Sequence, residues 1–174
     1  LADKELLAKN IPDLKLYHPA AITAEQALDY AKQCESAALN YDKRITNSEG
    51  GSFSTHEQYY VYGNSDGFLA AYPSSRYSVS CSVIGQVGDS MQRDYDYAVA
   101  RDFNDLLDLT QIGTNAAAKT IARLGARKIA TCKAPVLLEP KMASSFWHTL
   151  LAAISGGNLY RKSSFLLDCL HKDI

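Results

Sequence analysis

The 174-residue sequence has no long apolar run and no strong excess of charge of either sign. No apolar stretch approaches the roughly 18 residues that a membrane-spanning helix needs. The formal net charge of -1 argues against a broad phosphate-binding surface, so we expect neither a membrane nor a nucleic acid as a partner. Hydrophobic residues make up 47% of the chain and charged residues 21%, which is typical of a globular protein.

Cysteine is scarce, and none of the four residues is placed as in a known type of metal or disulfide site. Cys34, Cys81, Cys132 and Cys169 form no C-x-x-C pair, and no histidine lies at the spacing of a zinc ligand pair. A disulfide framework is unusual in a chain this rich in apolar residues. We therefore expect reduced, mostly buried thiols in a cytoplasmic protein.

Two enzyme signatures are incomplete. Gly156, Lys162 and Ser163 have the spacing of a phosphate-binding loop, but Arg161 replaces the glycine that lets backbone amides wrap a phosphate. No Gly-x-Ser-x-Gly pattern is present, so the sequence does not indicate a serine hydrolase of that type. Neither nucleotide binding nor serine hydrolysis is predicted.

Two helices are predicted, one on each side of a strand-rich middle region. The capping box Thr23-Ala24-Glu25-Gln26 predicts a helix that runs to about Tyr41. Residues 110–124 have apolar side chains at helical spacing, and Gly125 fits the position after the C-cap. Residues 1–22 have little periodicity, and we expect a linker there.

Residues 43–102 are rich in serine, tyrosine and valine and predict strands. Turn-forming residues divide this region at Glu49-Gly50-Gly51, Asn64-Ser65-Asp66-Gly67 and Val87-Gly88-Asp89-Ser90. Apolar residues alternate with serine over residues 77–83, at the period of a half-buried strand. We predict an α+β fold, with a curved antiparallel β-sheet of four to five strands and helices packed on one side.

Serine lines the polar face of these strands. This composition fits either a sheet face exposed to solvent or a hydrated groove that binds the backbone of a partner. Charged residues lie on or beside the same strands: Arg76, Arg93, Asp94, Asp96, Arg101 and Asp102. An acid–base pair would need two carboxylates in one cleft. Asp94 and Asp96 share a face, but the sequence shows no cleft, so cross-strand ion pairs are the preferred interpretation.

The segment from Ala134 to Asp168 predicts a strand–helix unit. Val136–Leu138 is an apolar run that predicts a buried strand, and Pro140 would end it. Residues 142–154 have apolar side chains at helical spacing, and Gly156-Gly157 would end this helix. A basic turn follows: Tyr160, Arg161, Lys162 and Ser163.

His148 lies inside this predicted helix, with no second histidine or glutamate within a turn and a half. A zinc site needs three or four converging ligands, and a hydrolytic site also needs a general base. The residue types alone therefore favour a histidine on or beside the core over a metal ligand.

The same segment resembles the TldD/PmbA family, whose members are described both as modulators of DNA gyrase and as metallopeptidases. The TldD branch carries a helical His-Glu-x-x-x-His motif, followed by a glycine and an Arg-Lys pair. When the motif is aligned without gaps on Arg161-Lys162, its first histidine falls on His148, its glutamate on Thr149 and its second histidine on Ala153. This departure is similar to the PmbA branch, also called TldE, whose members lack the motif.

The resemblance extends over the whole chain. Further segments that look like PmbA are Ala2-Asp3-Lys4-Glu5-Leu6-Leu7, Arg44-Ile45-Thr46-Asn47, Glu49-Gly50-Gly51-Ser52-Phe53 and Tyr160-Arg161-Lys162-Ser163. Because PmbA-like proteins are longer, the resemblance implies an internal fragment. Residues 1–22 would be a linker, and residues 23–174 a single α+β domain with a further C-terminal domain after it.

The resemblance also implies a function. The chain would belong to one subunit of a cytoplasmic TldD–TldE-type metalloprotease that acts on small or unfolded peptides, as in microcin maturation and antitoxin degradation. Zinc would lie in the TldD-like partner of a heterodimer. This chain would hold no cofactor and no catalytic or metal-binding residue, would supply interface and cavity wall, and would be inactive alone. Motif residues with an interface or structural role would be His148, Gly156, Gly157, Tyr160, Arg161, Lys162 and Ser163.

The alternative is a non-enzymatic regulatory or binding module, as the gyrase-modulator description suggests. A TldD-like subunit would co-purify with the protein under the first hypothesis and not under the second.

Overall fold

A computed structural model describes residue 5 and residues 8–106 and 108–173. Contacts within the chain separate it into two units, Leu1–Arg127 and Lys128–Ile174. No helix in the described part of the chain is long and apolar enough to cross a membrane.

The first unit is built on a three-stranded antiparallel sheet in the order β1-β2-β3. The strands are β1 (Ile45–Gly63), β2 (Leu69–Val87) and β3 (Ser90–Ala100). The predicted turns at residues 64–67 and 87–90 are confirmed, because each one connects two neighbouring strands. The predicted α+β class is also confirmed, but the predicted number of four to five strands is wrong.

Two helices pack against one face of this sheet. α1 spans Ala24–Leu39 and α2 spans Leu109–Arg123. Thr23 and Gln26 form the predicted capping box at the start of α1. Asp108 caps α2 by accepting a hydrogen bond from a backbone amide in the first turn.

The wrong strand count traces to Glu49-Gly50-Gly51, which we predicted as a hairpin turn. β1 continues through this point, and one extra residue lies between the pairs made by Ser48 and Gly50. Gly50 has a φ of 116°, which glycine adopts at little cost. A Cβ on Gly51 would lie 2.2 Å from the carbonyl oxygen of Ala31 in α1. The two glycines therefore form a β-bulge and a close helix contact instead of a turn.

The core of the first unit lies between the sheet and the two helices. Its fully buried apolar side chains are Cys34, Ala38, Tyr77, Val79, Cys81, Val83, Ile112, Ala116 and Ala117. The period-two pattern predicted for residues 77–83 is therefore confirmed. Small residues on both helices allow a close crossing, since a Cβ on Gly113 of α2 would lie 1.9 Å from the carbonyl oxygen of Cys34 in α1.

The segment before α1 is tied to the sheet mainly through its backbone. The amide of Ser75 donates to the carbonyl of Leu16 at 2.9 Å. The buried hydroxyl of Tyr77 donates to the carbonyl of His18 and accepts from the amide of Ala20, both at 2.8 Å. These bonds hold the segment against β2 just before the cap of α1.

The second unit contains α3 (Pro140–Ala153) and the short α4 (Gly156–Tyr160). The strand predicted at Val136–Leu138 is wrong: residues 126–139 form neither helix nor strand, and Leu137 is fully exposed. A strand needs a hydrogen-bonded neighbour, and the described residues of this unit provide none.

Both predicted boundaries around α3 also differ from the structure. Pro140 begins this helix instead of ending a strand, because a missing amide hydrogen costs nothing at the first helical position. Gly156-Gly157 begin α4 instead of ending α3, which already has its C-cap at Ile154. Ser155 separates the two helices and caps the second.

Candidate functional site

The aligned family motif lies on α3, where helix geometry separates its positions. α3 is a continuous α-helix through residues 148–153. Five residues turn an α-helix through about 500°, so positions 148 and 153 point about 140° apart. The His148 side chain is exposed rather than packed beside the core, whereas Ala153 is buried. The two positions therefore do not converge on one point.

The side chain at the remaining motif position, Thr149, forms a hydrogen bond within its own helix. The hydroxyl of Thr149 donates to the carbonyl of Ser145, one turn earlier in the helix, at 3.0 Å. Throughout the described residues, no group of three or more His, Cys, Asp and Glu side chains comes together as metal ligands would. The aligned motif positions on α3 therefore do not form such a group.

Much of the predicted apolar face of α3 is exposed. Phe146, Trp147 and Leu151 are 62%, 64% and 58% exposed. Exposed aromatic residues so close together are typical of a surface that binds another protein.

The turn after α4 is organised by Asn158, a residue that belongs to none of the predicted motifs. Its side-chain amide donates to the carbonyl of Ala152 at 2.7 Å, and its side-chain oxygen accepts from Arg161 at 3.0 Å. Its backbone carbonyl accepts from both the amide and the hydroxyl of Ser163. An asparagine within a glycine-rich and basic stretch is the signal that could have revealed this role.

This network presents the other motif residues to the surface. Lys162 follows the C-cap of α4 and has a φ of 56°, in the left-handed region. Tyr160 is 89% exposed, and Arg161 and Lys162 are also exposed. Near Gly157 an added Cβ would meet only the flexible end of Arg161, at 3.7 Å. The motif therefore forms an exposed basic turn, suited to contact with an acidic or aromatic surface.

Three charged residues of β3 form ion pairs with a side chain of another element, and two of these pairs join a strand to a helix. Asp96 of β3 is 3% exposed and accepts from Lys119 of α2 at 3.0 Å. Asp94 accepts from Arg123 of α2 at 3.2 Å. Both carboxylates face the helices and are held by cations, so they do not form an open acid–base pair.

The third pair connects strands, as predicted. Arg93 of β3 donates to Glu49 of β1 at 2.6 Å, and the hydroxyl of Ser82 donates to the same carboxylate oxygen. The hydrogen bond from Ser82 and the charge of Arg93 hold the pKa of Glu49 below its usual value. These contacts therefore connect β1, β2 and β3 on the serine-lined face of the sheet.

The chain matches a known family over more than half of its length. Residues 17–124, which lie in the first unit, match the family model described as the PmbA/TldA metallopeptidase central domain. The chain therefore belongs to the PmbA/TldD family.

Curated relatives match along the full chain. The "Metalloprotease PmbA homolog" of Haemophilus influenzae is 49% identical, and the "Metalloprotease PmbA" of Escherichia coli O157:H7 is 47% identical, each over 174 residues. The chain spans 39% of the length of each of these proteins.

Solved structures share the fold. A "putative modulator of DNA gyrase" from Bacteroides thetaiotaomicron has a TM-score of 0.89 and 30% identity, over 100% of this chain and 40% of that chain. TldE from Thermococcus kodakarensis has a TM-score of 0.59 and 20% identity, over 93% of this chain and 36% of that chain. At 20% identity, the second likeness concerns the fold alone.

Proposed function

We propose that this chain is the central part of a PmbA/TldE-type subunit in a cytoplasmic metalloprotease complex. In this complex it would pair with a TldD-like subunit, and the heterodimer would cleave small or unfolded peptides. The observation that carries the proposal is 49% and 47% identity along the full chain to proteins named for PmbA metalloprotease. The boundary between a linker over residues 1–22 and a domain over residues 23–174 belongs to the same proposal.

The subunit is proposed to hold no zinc of its own. Of the aligned motif only His148 is present, and Thr149 and Ala153 occupy the other two positions. The substitutions Thr149→Glu and Ala153→His together would still leave ligands about 140° apart on a regular helix. A helical zinc motif at i and i+4 keeps its ligands only about 40° apart. Zinc is therefore assigned to the TldD-like partner.

Elemental analysis of untagged protein tests this assignment. We expect substoichiometric zinc in the native chain and at most weak zinc binding in the double variant. Zinc at about one ion per chain, removed by a chelator and lost in His148→Ala, would overturn the assignment.

The proposed contribution of this chain is interface and cavity wall. The exposed aromatic face of α3 and the exposed basic turn after α4 support this role, because both present contact groups without an assembled catalytic centre. Interface or structural roles are proposed for His148, Gly156, Gly157, Tyr160, Arg161, Lys162 and Ser163.

Co-purification of the longer protein with a TldD-like subunit tests the interface. Phe146→Asp places a charge on the exposed face of α3 and should weaken the complex. Ile129→Asp is the matched control, since Ile129 is 84% exposed and lies outside the helices. Equal loss of the partner in both variants, or no loss in either, would argue against an interface on α3.

The second candidate is a non-enzymatic regulatory or binding module. The description of the Bacteroides structure as a "putative modulator of DNA gyrase" favours it. The net charge of -1 weighs against direct DNA binding. A longer protein that binds gyrase but retains no TldD-like subunit would favour this candidate over the first.

A further inference from the structure

A polar cleft lies on the face of the sheet opposite α1 and α2. Its volume is about 290 Å³, and it is lined by His56, Gln58, Tyr60, Arg76 and Arg101. Three of these residues alternate along β1, so their side chains share one face. The register pairs His56 with Arg76 of β2, and Arg101 directly follows β3. We name this the arginine cleft.

Once the hydrogen bonds within the cleft are formed, mainly donor groups remain available to a ligand. Nε2 of His56 donates to the side-chain oxygen of Gln58 at 2.9 Å. The side-chain amide of Gln58 in turn donates to the hydroxyl oxygen of Tyr60. The Tyr60 hydroxyl therefore keeps its own hydrogen to donate to a ligand.

The two arginines add donors that carry charge. Arg76 is exposed, and no hydrogen bond from its guanidinium joins it to the described residues. Arg101 donates through Nη1 to the buried hydroxyl of Ser74 and to the carbonyl of Ser75. A guanidinium has five N–H donors, so Arg101 is held in place and still has donors for the cleft.

Three carboxylates lie near the cleft in sequence or on the same sheet face, and each of them contacts another residue. Glu57 lies on the opposite face of β1 and accepts from the hydroxyl of Tyr17 at 3.1 Å. Asp102 follows Arg101 and lies 3.5 Å from the ring of His18. Glu49 is bound to Arg93, at the other end of the sheet face. The positive charge of the cleft is therefore not neutralised by these acidic side chains.

We propose that the arginine cleft binds a carboxylate of a peptide, either its C-terminal carboxylate or an acidic side chain. Guanidinium groups present parallel N–H donors that match the two oxygens of a carboxylate. The exposed ring of Tyr60 stacks on Tyr72, with 5.0 Å between the centroids, and offers an apolar wall beside the charge. The peptide nature of the ligand rests on the proposed function, whereas the preference for an anion rests on the cleft alone.

NMR titration of the 174-residue chain at low ionic strength tests the proposal with three probes. One is an N-acetylated trialanine with a free carboxyl end, the second is the same peptide ending in an amide, and the third is an amidated tripeptide with one glutamate. We expect saturable shifts of the amides of residues 56–60, 76 and 101 with at least one acidic probe. We expect none with the amidated trialanine. The two acidic probes distinguish a chain terminus from a side chain as the source of the carboxylate.

Two variants locate the binding. Arg76→Gln removes one charge from the cleft and should weaken binding about tenfold. Arg93→Gln is the matched control, because Arg93 lies on the same sheet face but is paired with Glu49. It should bind the peptide as the native chain does. A native-like dispersion of resonances in both variants shows that they are folded.

Three results would overturn the proposal. They are equal binding of the amidated trialanine, equal weakening by the two variants, or no binding of either acidic probe. All three results are measured on this chain without a partner subunit. Loss of peptide binding is therefore distinguishable from a failure to co-purify with a TldD-like subunit, which concerns the proposed function.

Discussion

Tyr77→Phe would remove the hydroxyl that fastens the segment before α1 to the sheet. Tyr77 is fully buried, and its ring packs against Phe103 with 5.9 Å between the centroids. The substitution keeps the ring and deletes one oxygen. Its effect should therefore come from two lost hydrogen bonds, those with the carbonyl of His18 and the amide of Ala20.

The magnitude follows from those two bonds. A hydrogen bond contributes about 1 kcal/mol net, and both backbone groups are half-buried, so water can replace the hydroxyl only in part. We expect the free energy of unfolding of the first unit to fall by about 2 kcal/mol. With a slope of about 2 kcal/mol per molar urea, the unfolding midpoint should fall by about 1 M.

Urea unfolding followed by far-UV circular dichroism is the appropriate assay. The single tryptophan, Trp147, lies on α3, so its fluorescence reports directly on the second unit, whereas the sheet that the substitution affects lies in the first. Hydrogen exchange adds a local readout, since the amide of Ala20 should lose protection before the amides of β2.

Tyr62→Phe is the matched control, because Tyr62 lies on β1 and is 61% exposed. It should change the free energy of unfolding by less than about 0.5 kcal/mol. If Tyr77→Phe changed stability as little as this control, the hydroxyl would not fasten the segment and the account of the first unit would be wrong.

Three further predictions concern packing, pH and thiol reactivity. Gly113→Ala should lower the free energy of unfolding by about 3 kcal/mol or more in the same assay, because its Cβ would lie 1.9 Å from the carbonyl oxygen of Cys34; an unchanged midpoint would contradict this. The side-chain hydrogen bond with the neighbouring arginine lowers the pKa of Asp42 from 3.8 to about 2. Its stabilisation is therefore present above about pH 4 and is lost as the pH falls towards 2. Asp42→Asn should flatten the fall in stability over that range, and an unchanged slope would refute the assignment. Ellman's reagent should label exposed Cys132 quickly, but buried Cys34 and Cys81 only after unfolding. Rapid labelling of Cys34 in the native chain, detected by mass spectrometry, would contradict the described core.

Local patterns predicted the elements whose formation depends on neighbouring residues. The capping box at Thr23 marks the start of α1 because hydroxyl, amide and backbone lie within four residues. The turns at residues 64–67 and 87–90 contain glycines with a φ of 85° at Gly67 and 54° at Gly88, a conformation that the composition of those turns indicates.

Patterns that depend on distant contacts were misread. Gly50-Gly51 resembles a turn, but the requirement for glycine comes from a bulge opposite β2 and from the approach of α1. Val136–Leu138 has the composition of a buried strand, yet no described strand of its unit lies beside it. Hydrogen-bonding partners are not visible in a short apolar run.

Only part of the candidate site could be predicted from the sequence. The exposed turn of Arg161 and Lys162 follows the predicted basic segment, but the network around Asn158 depends on α4, a helix that was not predicted. The arginine cleft was missed because its residues come from β1, β2 and the end of β3. Arg76 and Arg101 were noted only as charges beside strands, and strand register is needed to bring them to His56.

The central proposal is that this chain acts as a non-catalytic part of a two-subunit metallopeptidase. It is tested most directly by a peptidase assay of the longer protein and a TldD-like subunit, each alone and then mixed, on unfolded peptides with zinc present. The account predicts that the longer protein alone is inactive and that the mixture cleaves peptides until a chelator is added. Chelator-sensitive cleavage by the longer protein without the partner would contradict it.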